Sequence, residues 1–193
     1  MLDTTVDQIT AKVKGNLPDL VSSLNEDLSF GDFEHSLSRL VQDIVGVVVS
    51  PVLNGVLQDE SLLLRLREAA GCIGYRYKEH RWITVRVLEG VKVRVYSPYF
   101  IKKAPKRGRK KSGPNGRGCH LFLDVLGFIG LSSPAFVDEV VKLALLCPSF
   151  DVARQVLAAR DIQLDKKTLR RLCKALGKVG LEQRATVALE DEV

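Results

Sequence analysis

The sequence predicts an α+β chain that is mainly α, with an amino-terminal helical hairpin, a small β-hairpin and a helix-turn-helix three-helix unit. Three observations carry this. Apolar residues recur at helical spacing from Phe33 to Val48. The period switches to two after Tyr75. It returns to helical spacing from Phe136 onward, in segments punctuated by Ser, Pro and Asp.

Residues 1–30 have mixed polarity, with Pro18 and several Ser and Asp, and read as a loosely held segment with at most a short helix. Residues 31–74 read as an acidic helical hairpin. Asp32 can cap a helix whose stripe is Phe33, Leu37, Leu40, Val41, Ile44, Val45 and Val48, and Pro51 bends or restarts it. A second helix over about 60–72 carries Leu63, Leu64, Leu66 and Ala70. The apolar stretch Ile44–Leu57 is interrupted by Ser50, Pro51, Asn54 and two glycines, which makes it too short and too broken for a bilayer span. With no leader pattern at the start, a cytoplasmic chain without a membrane partner is expected.

Residues 75–100 read as a β-hairpin. Trp82, Thr84, Arg86 and Leu88 alternate with Ile83, Val85 and Val87, and after a break at Glu89–Gly90 the residues Val91, Val93 and Val95 alternate with Lys92, Arg94 and Tyr96. One face is Val-rich; the other shows Arg86, Lys92 and Arg94, either for solubility or as a phosphate platform. Residues 101–118 form a flexible basic linker or arm. The stretch "KKAPKRGRKKSGPNGRG" holds eight Lys or Arg and no acid, and it has no apolar surface to bury.

Residues 119–180 read as the helix-turn-helix region. Ser133 can cap a helix with Pro134 at its first position and Phe136, Val137, Val140, Val141 and Ala144 inward. Pro148 ends it and Ser149 caps the next helix, which runs to about Arg160. A short "DIQL" turn follows, with Asp161 able to take the left-handed conformation. Asp165 then caps a third helix, with Leu169, Leu172, Cys173 and Leu176 inward and Gly177 as its stop. In a helix-turn-helix the early exposed residues of the last helix reach the major groove. Here those are Lys166, Lys167, Thr168, Arg170 and Arg171, with Lys174 further along. Residues 181–193 form an acidic tail.

Charge supports a polyanionic partner. Residues 1–60 carry three basic and ten acidic side chains, a balance of −7, and the remainder carries 26 and 13, a balance of +13. Double-stranded DNA is the leading partner and a membrane surface the runner-up; a homo-oligomer is possible through the amino-terminal helices. Within the basic stretch, Arg107 and Arg109 flank Gly108, followed by Lys110 and Lys111. This resembles an AT-hook, whose Arg-Gly-Arg enters the narrow minor groove, although Lys110 stands where that motif prefers Pro.

Enzymatic sites are sparse. Cys72, Cys119, Cys147 and Cys173 form no CxxC pair and match no zinc spacing. Cys119–His120 is a weak metal hint. His120 and Asp124 are spaced as a dyad or as an ordinary helical pair. No phosphate loop or nucleophile motif occurs, so the expectation is no catalytic residue, no cofactor, no metal and no small-molecule substrate.

The segments "GCHLFLDVLGFIGLSSPAFVDEV" and "LCPSFDVARQVLAARDIQLDKKTLRRLCKALG" resemble the amino-terminal part of certain bacterial insertion-sequence transposases of the DDE type. The upstream order agrees: "FEHSLSRLVQDIV", a hairpin ending in "VYSPYF", then a Gly-rich basic stretch. The resemblance covers most of residues 30–177. It implies a DNA-binding region that recognises element ends ahead of a catalytic domain, where three carboxylates hold divalent metals. The cysteine pair many such proteins carry after the hairpin is absent here. The acids after the third helix are Glu182, Glu190, Asp191 and Glu192, which cannot supply that triad. The expectation is therefore a DNA-binding fragment; a free-standing helix-turn-helix repressor, dimerising through the amino-terminal helices, is the alternative.

Overall fold

The computed structural model describes residues 2–26, 30–102 and 118–190, with side chains over 4–22, 30–102 and 118–181. The described chain is mainly helical, with a small three-stranded antiparallel sheet. It divides into two compact units, one comprising residues 1–84 and 91–125, the other residues 85–90 and 126–193.

The first unit opens with α1 (Leu2–Glu26) and α2 (Phe30–Leu57), which pack on each other. The amino-terminal segment, expected to be loosely held, is thus helical and carries Pro18 inside it. Lys12 Nζ reaches Asp43 Oδ2 at 2.5 Å, tying the two helices. Pro51 does not divide α2. A proline forfeits one backbone bond and crowds the preceding turn, and here the helix continues for another turn and a half. The 28-residue α2 is long and apolar enough, by length and composition, to cross a bilayer. This corrects the expectation of a stretch too short and too interrupted for that.

The helix α3 (Glu60–Cys72) follows immediately, capped by Asp59, whose carboxylate accepts from the Leu62 amide at 2.9 Å. The main helical partner of α2 is α1, and α2 also packs on the sheet. Within the expected helical hairpin, the contact of α2 with α3 is therefore a minor one.

The sheet has the order β1 (Tyr75–Arg86), β2 (Lys92–Lys102), β3 (Gly118–Cys119). Pairing of β2 with β3 sets Phe100 opposite Cys119 and Ile101 opposite Gly118. Of the valines predicted to face inward, Val85, Val87, Val93 and Val95 are buried and Val91 is half-buried. Beyond the reach of β3, the Asn54 side chain of α2 meets β2 directly. Its Oδ1 accepts from the Tyr96 amide at 2.7 Å, and its Nδ2 donates to the Arg94 carbonyl at 3.3 Å. A helix side chain thus supplies β2 with the kind of pairing a neighbouring strand would give. Gly118 faces the Tyr99 ring so closely that an added Cβ would lie 2.1 Å from it. A short helix α4 (Leu121–Val125) follows β3, and a core of Leu63, Ala70 and Phe100 takes in Leu66, Tyr75, Tyr77 and Leu121.

The second unit takes the turn Val85–Gly90 together with α5 (Pro134–Leu146), α6 (Phe150–Ala158) and α7 (Lys166–Glu190). The Arg86 amide donates to Leu131 O at 2.9 Å, and the Ser133 amide donates to Arg86 O at 2.8 Å. Gly90 has φ of +77° and lies against Phe136 and Ile162, so it serves both a left-handed backbone and a close approach. The caps are as expected: Ser133 for α5, Ser149 for α6 and Asp165 for α7. Phe136, Val137, Val140, Val141, Leu157, Ile162, Leu164, Leu169 and Leu172 form one buried core.

Two boundaries differ from the sequence reading. The α6–α7 connection spans residues 159–165 rather than about four, because α6 closes in a Schellman motif. There the Ile162 amide reaches Leu157 O at 2.9 Å and the Asp161 amide reaches Ala158 O at 3.1 Å, with Asp161 at φ 59°. The third helix passes through Gly177 and Gly180 to Glu190 instead of stopping, so helix extends into the expected acidic tail.

Candidate nucleic-acid interface

The helix α7 has two faces because its apolar and basic residues keep different phases of one period. Leu169 and Leu172 are buried, with Cys173 and Leu176 packed beside them. Lys167, Arg170, Arg171 and Lys174 are all exposed, at spacings of three, one and three, so they share the outer face.

The remaining two predicted residues of this helix are engaged within the unit. Lys166 Nζ bonds Asp151 Oδ2 at 2.5 Å, and this hydrogen bond holds the Asp151 carboxyl below its ordinary range. Thr168 donates its amide to Asp165 Oδ1 at 2.6 Å and its hydroxyl to Oδ2 at 3.0 Å, which depresses the Asp165 pKa. Arg170 lies over the Phe150 ring at 5.7 Å, and the Arg171 guanidinium lies beside Gly130. Of the six candidates on α7, four form an open basic face and two brace its start. Arg107, Arg109, Lys110 and Lys111 of the basic arm lie outside the described residues.

The first unit carries a feature that reading the chain did not anticipate, an aromatic ladder ended by guanidinium groups. Arg67 lies over Tyr77 at 4.1 Å, Tyr77 meets His80 at 5.6 Å, and His80 stacks on Tyr96 at 5.0 Å and 27°. Tyr96 meets Trp82 at 5.0 Å, and Arg94 lies over Trp82 at 5.0 Å. The Tyr77 hydroxyl and His80 Nδ1 are 2.8 Å apart; His80 Nε2 is buried near the Leu57 carbonyl without a well-formed bond. Burial lowers the His80 pKa, so the ring in the ladder is neutral. Trp82 is 54% exposed beneath Arg94, and Arg94 and Lys92 are exposed on the same face of β2. Strand alternation of Trp82 with Ile83, and of Arg94 and Tyr96 with Val93 and Val95, was the available signal. A cleft of about 640 Å³ opens among α1, α2 and β2, with Lys12, Lys92 and Arg94 in its walls.

The possible His120–Asp124 dyad does not form. His120 Nδ1 faces the Ser97 hydroxyl at 3.2 Å, while residues 120 and 124 meet through their backbones, the Asp124 amide donating to His120 O. Ser97 is wholly buried, which denies that pair a substrate. Burial lowers the His120 pKa and raises those of Asp124 and Cys119. Among the described residues, no three His, Cys, Asp or Glu side chains gather where they could hold a metal ion.

Comparison of the chain with protein-family models, curated proteins and solved structures found no match.

Proposed function

We propose that the second unit binds double-stranded DNA, with α7 as the helix that enters the major groove. The observation that carries this reading is the outer face of α7, where Lys167, Arg170, Arg171 and Lys174 project from a helix whose inner face is locked by Leu169 and Leu172. A rigid helix presenting four cations can meet phosphates with Lys and guanine edges with Arg. The resemblance to insertion-sequence transposases makes the ends of a mobile element the expected target, with Arg107 and Arg109 of the basic arm on the adjacent minor groove. In this reading the chain contributes recognition, and strand transfer belongs to a metal-dependent catalytic domain of the DDE type.

The test is duplex binding by fluorescence anisotropy across a salt series. Replacing Lys167, Arg170, Arg171 and Lys174 together by Ala lowers the log–log salt slope by about 1.8, the share of the two Lys–phosphate contacts. An unchanged slope rejects this face of α7 as the interface. Equal affinity for inverted-repeat and scrambled duplexes rejects sequence recognition.

A second reading, a repressor that dimerises through its amino-terminal helices, is favoured by α2. Leu37, Val41 and Val48 are exposed, and with Ile44 they follow the 4-3-4 spacing of a heptad seam, with Val at alternate positions. That pattern suits two-stranded association. A stable dimer in sedimentation that Val41→Glu dissociates supports it; a monomer at micromolar concentration rejects it.

A further inference from the structure

We propose that the Trp82 end of the aromatic ladder is a binding site for unpaired bases of single-stranded DNA, separate in function from the duplex-binding face of α7. The ladder runs Arg67, Tyr77, His80, Tyr96, Trp82, Arg94, and its ring members behind Trp82 are all partly covered. Trp82 alone among the rings is more than half exposed. The indole rests against Tyr96 and carries the Arg94 guanidinium, yet more than half of it stays exposed, so when Arg94 turns to a phosphate the ring offers a rigid π surface at little further entropy cost. The exposed Arg94 lies over the indole at 5.0 Å, the exposed Lys92 stands two residues away on the same face of β2, and neither cation is ion-paired among the described residues. Lys92 and Arg94 also line a cleft whose other walls hold Lys12 paired with Asp43.

The chemistry selects the occupant. An acidic peptide satisfies the cations and leaves the indole bare, whereas an apolar side chain does the reverse. A nucleotide answers both, the base stacking on Trp82 while its phosphate draws Arg94 and Lys92. In a duplex each base face is covered by the next base pair, so only an unpaired base presents the surface the indole needs. No base-specific hydrogen-bonding partner is required, which makes the site tolerant of sequence. The choice of DNA over RNA rests on the duplex reading above; the stacking of an unpaired base on Trp82 does not.

Trp82 is the single tryptophan, so its fluorescence reports on this site alone. Titrating the full chain with a 12-mer of deoxythymidine, with excitation at the indole edge, is expected to quench that emission saturably. Trp82→Ala is expected to weaken binding of the labelled 12-mer by roughly 5- to 150-fold, the loss of one stacked base. Trp82→Phe, which keeps a ring and the fold, retains most of the affinity. Duplex affinity, measured in parallel by anisotropy, stays unchanged in both variants. Quenching in a chain that fails to bind duplex supports this site while rejecting the α7 reading. The proposal is overturned by unchanged Trp82 emission at saturating 12-mer, or by equal affinity of wild type and Trp82→Ala. Equal quenching by an abasic oligonucleotide overturns stacking, and tighter binding of a uridine 12-mer overturns the assignment to DNA.

Discussion

Replacing Asn54 by Ala tests the contact by which α2 completes the sheet. The side chain accepts from the Tyr96 amide at 2.7 Å and donates to Arg94 O at 3.3 Å, and both lie in a strand that is partly shielded from water. Ser50 Oγ also approaches Arg94 O, at 3.4 Å, so that carbonyl keeps one partner when the amide is removed. The Tyr96 N–H has no such substitute. Leaving a half-buried donor unpaired costs about 1–3 kcal/mol, and a middle value of about 2 kcal/mol fits its partial burial. With a urea m-value of about 2 kcal/mol/M for a unit of this size, the midpoint falls by about 1 M. Trp82 emission reports the unfolding of the unit that holds Asn54, which avoids assuming that the whole chain unfolds in one step. Asn16→Ala is the matched control, because that exposed amide donates to Lys12 O of its own helix. A midpoint shift below about 0.3 M for Asn54→Ala, or one no larger than the control's, would refute the argument that α2 pairs the strand.

Gly118→Ala sets a Cβ 2.1 Å from the Tyr99 ring and is expected to cost about 1–3 kcal/mol by overpacking. In a Tyr99→Ala background the same change should be nearly neutral, and equal costs in both backgrounds would break the assignment. Stability should fall as pH drops below the ordinary histidine value of 6.5, because burial depresses the folded-state pKa values of His80 and His120. The unfolded chain then takes up protons the folded chain resists, and the loss is complete once pH passes the lowered folded values. Asp124, raised by burial, acts with the opposite sign in the carboxylate range, so the urea midpoint is best compared at pH 7.5 and 5.5 in an Asp124→Asn background. A midpoint that rises on acidification there contradicts the reasoning. Asp151→Asn releases Lys166 from its 2.5 Å bond and removes a negative charge beside α7. Duplex affinity should rise and the salt slope steepen by about one, and weaker binding would count against the α7 interface.

What the sequence disclosed, and what it hid, follows from the range of each interaction. Ser133, Ser149 and Asp165 announced three helix starts because a cap bonds an amide three residues on, a contact written entirely in local sequence. The core from Phe136 to Ala144 and the left-handed Asp161 were legible for the same reason. The helix α1 was missed because its mixed polarity gives little periodic signal; packing on α2 supplies what propensity does not. Pro51 read as a bend or restart and Gly177 as a stop, yet local penalties of about 3 kcal/mol for Pro and about 1 kcal/mol for Gly are outweighed by the continuing helix. Judged along the chain, aromatic residues near basic positions were few. The ladder exists because strand pairing brings Trp82 and His80 against Tyr96, fourteen and sixteen positions away. The outer face of α7 was readable as a list of residues. That Lys166 and Thr168 brace the helix start was not, since one partner, Asp151, lies on another helix.

The turn Val85–Gly90 belongs with α5, α6 and α7, although the strands that carry it belong to the other unit. The carboxyl-terminal unit is therefore discontinuous in sequence, and a fragment cut at residue 126 lacks the Gly90 surface on which Phe136 and Ile162 rest. During synthesis the last residue of the turn, Gly90, emerges 46 residues before Phe136 does, and the turn must wait for its partners. Expression of the last helices alone should yield a protease-sensitive product, and supplying residues 75–102 on the same chain should restore resistance.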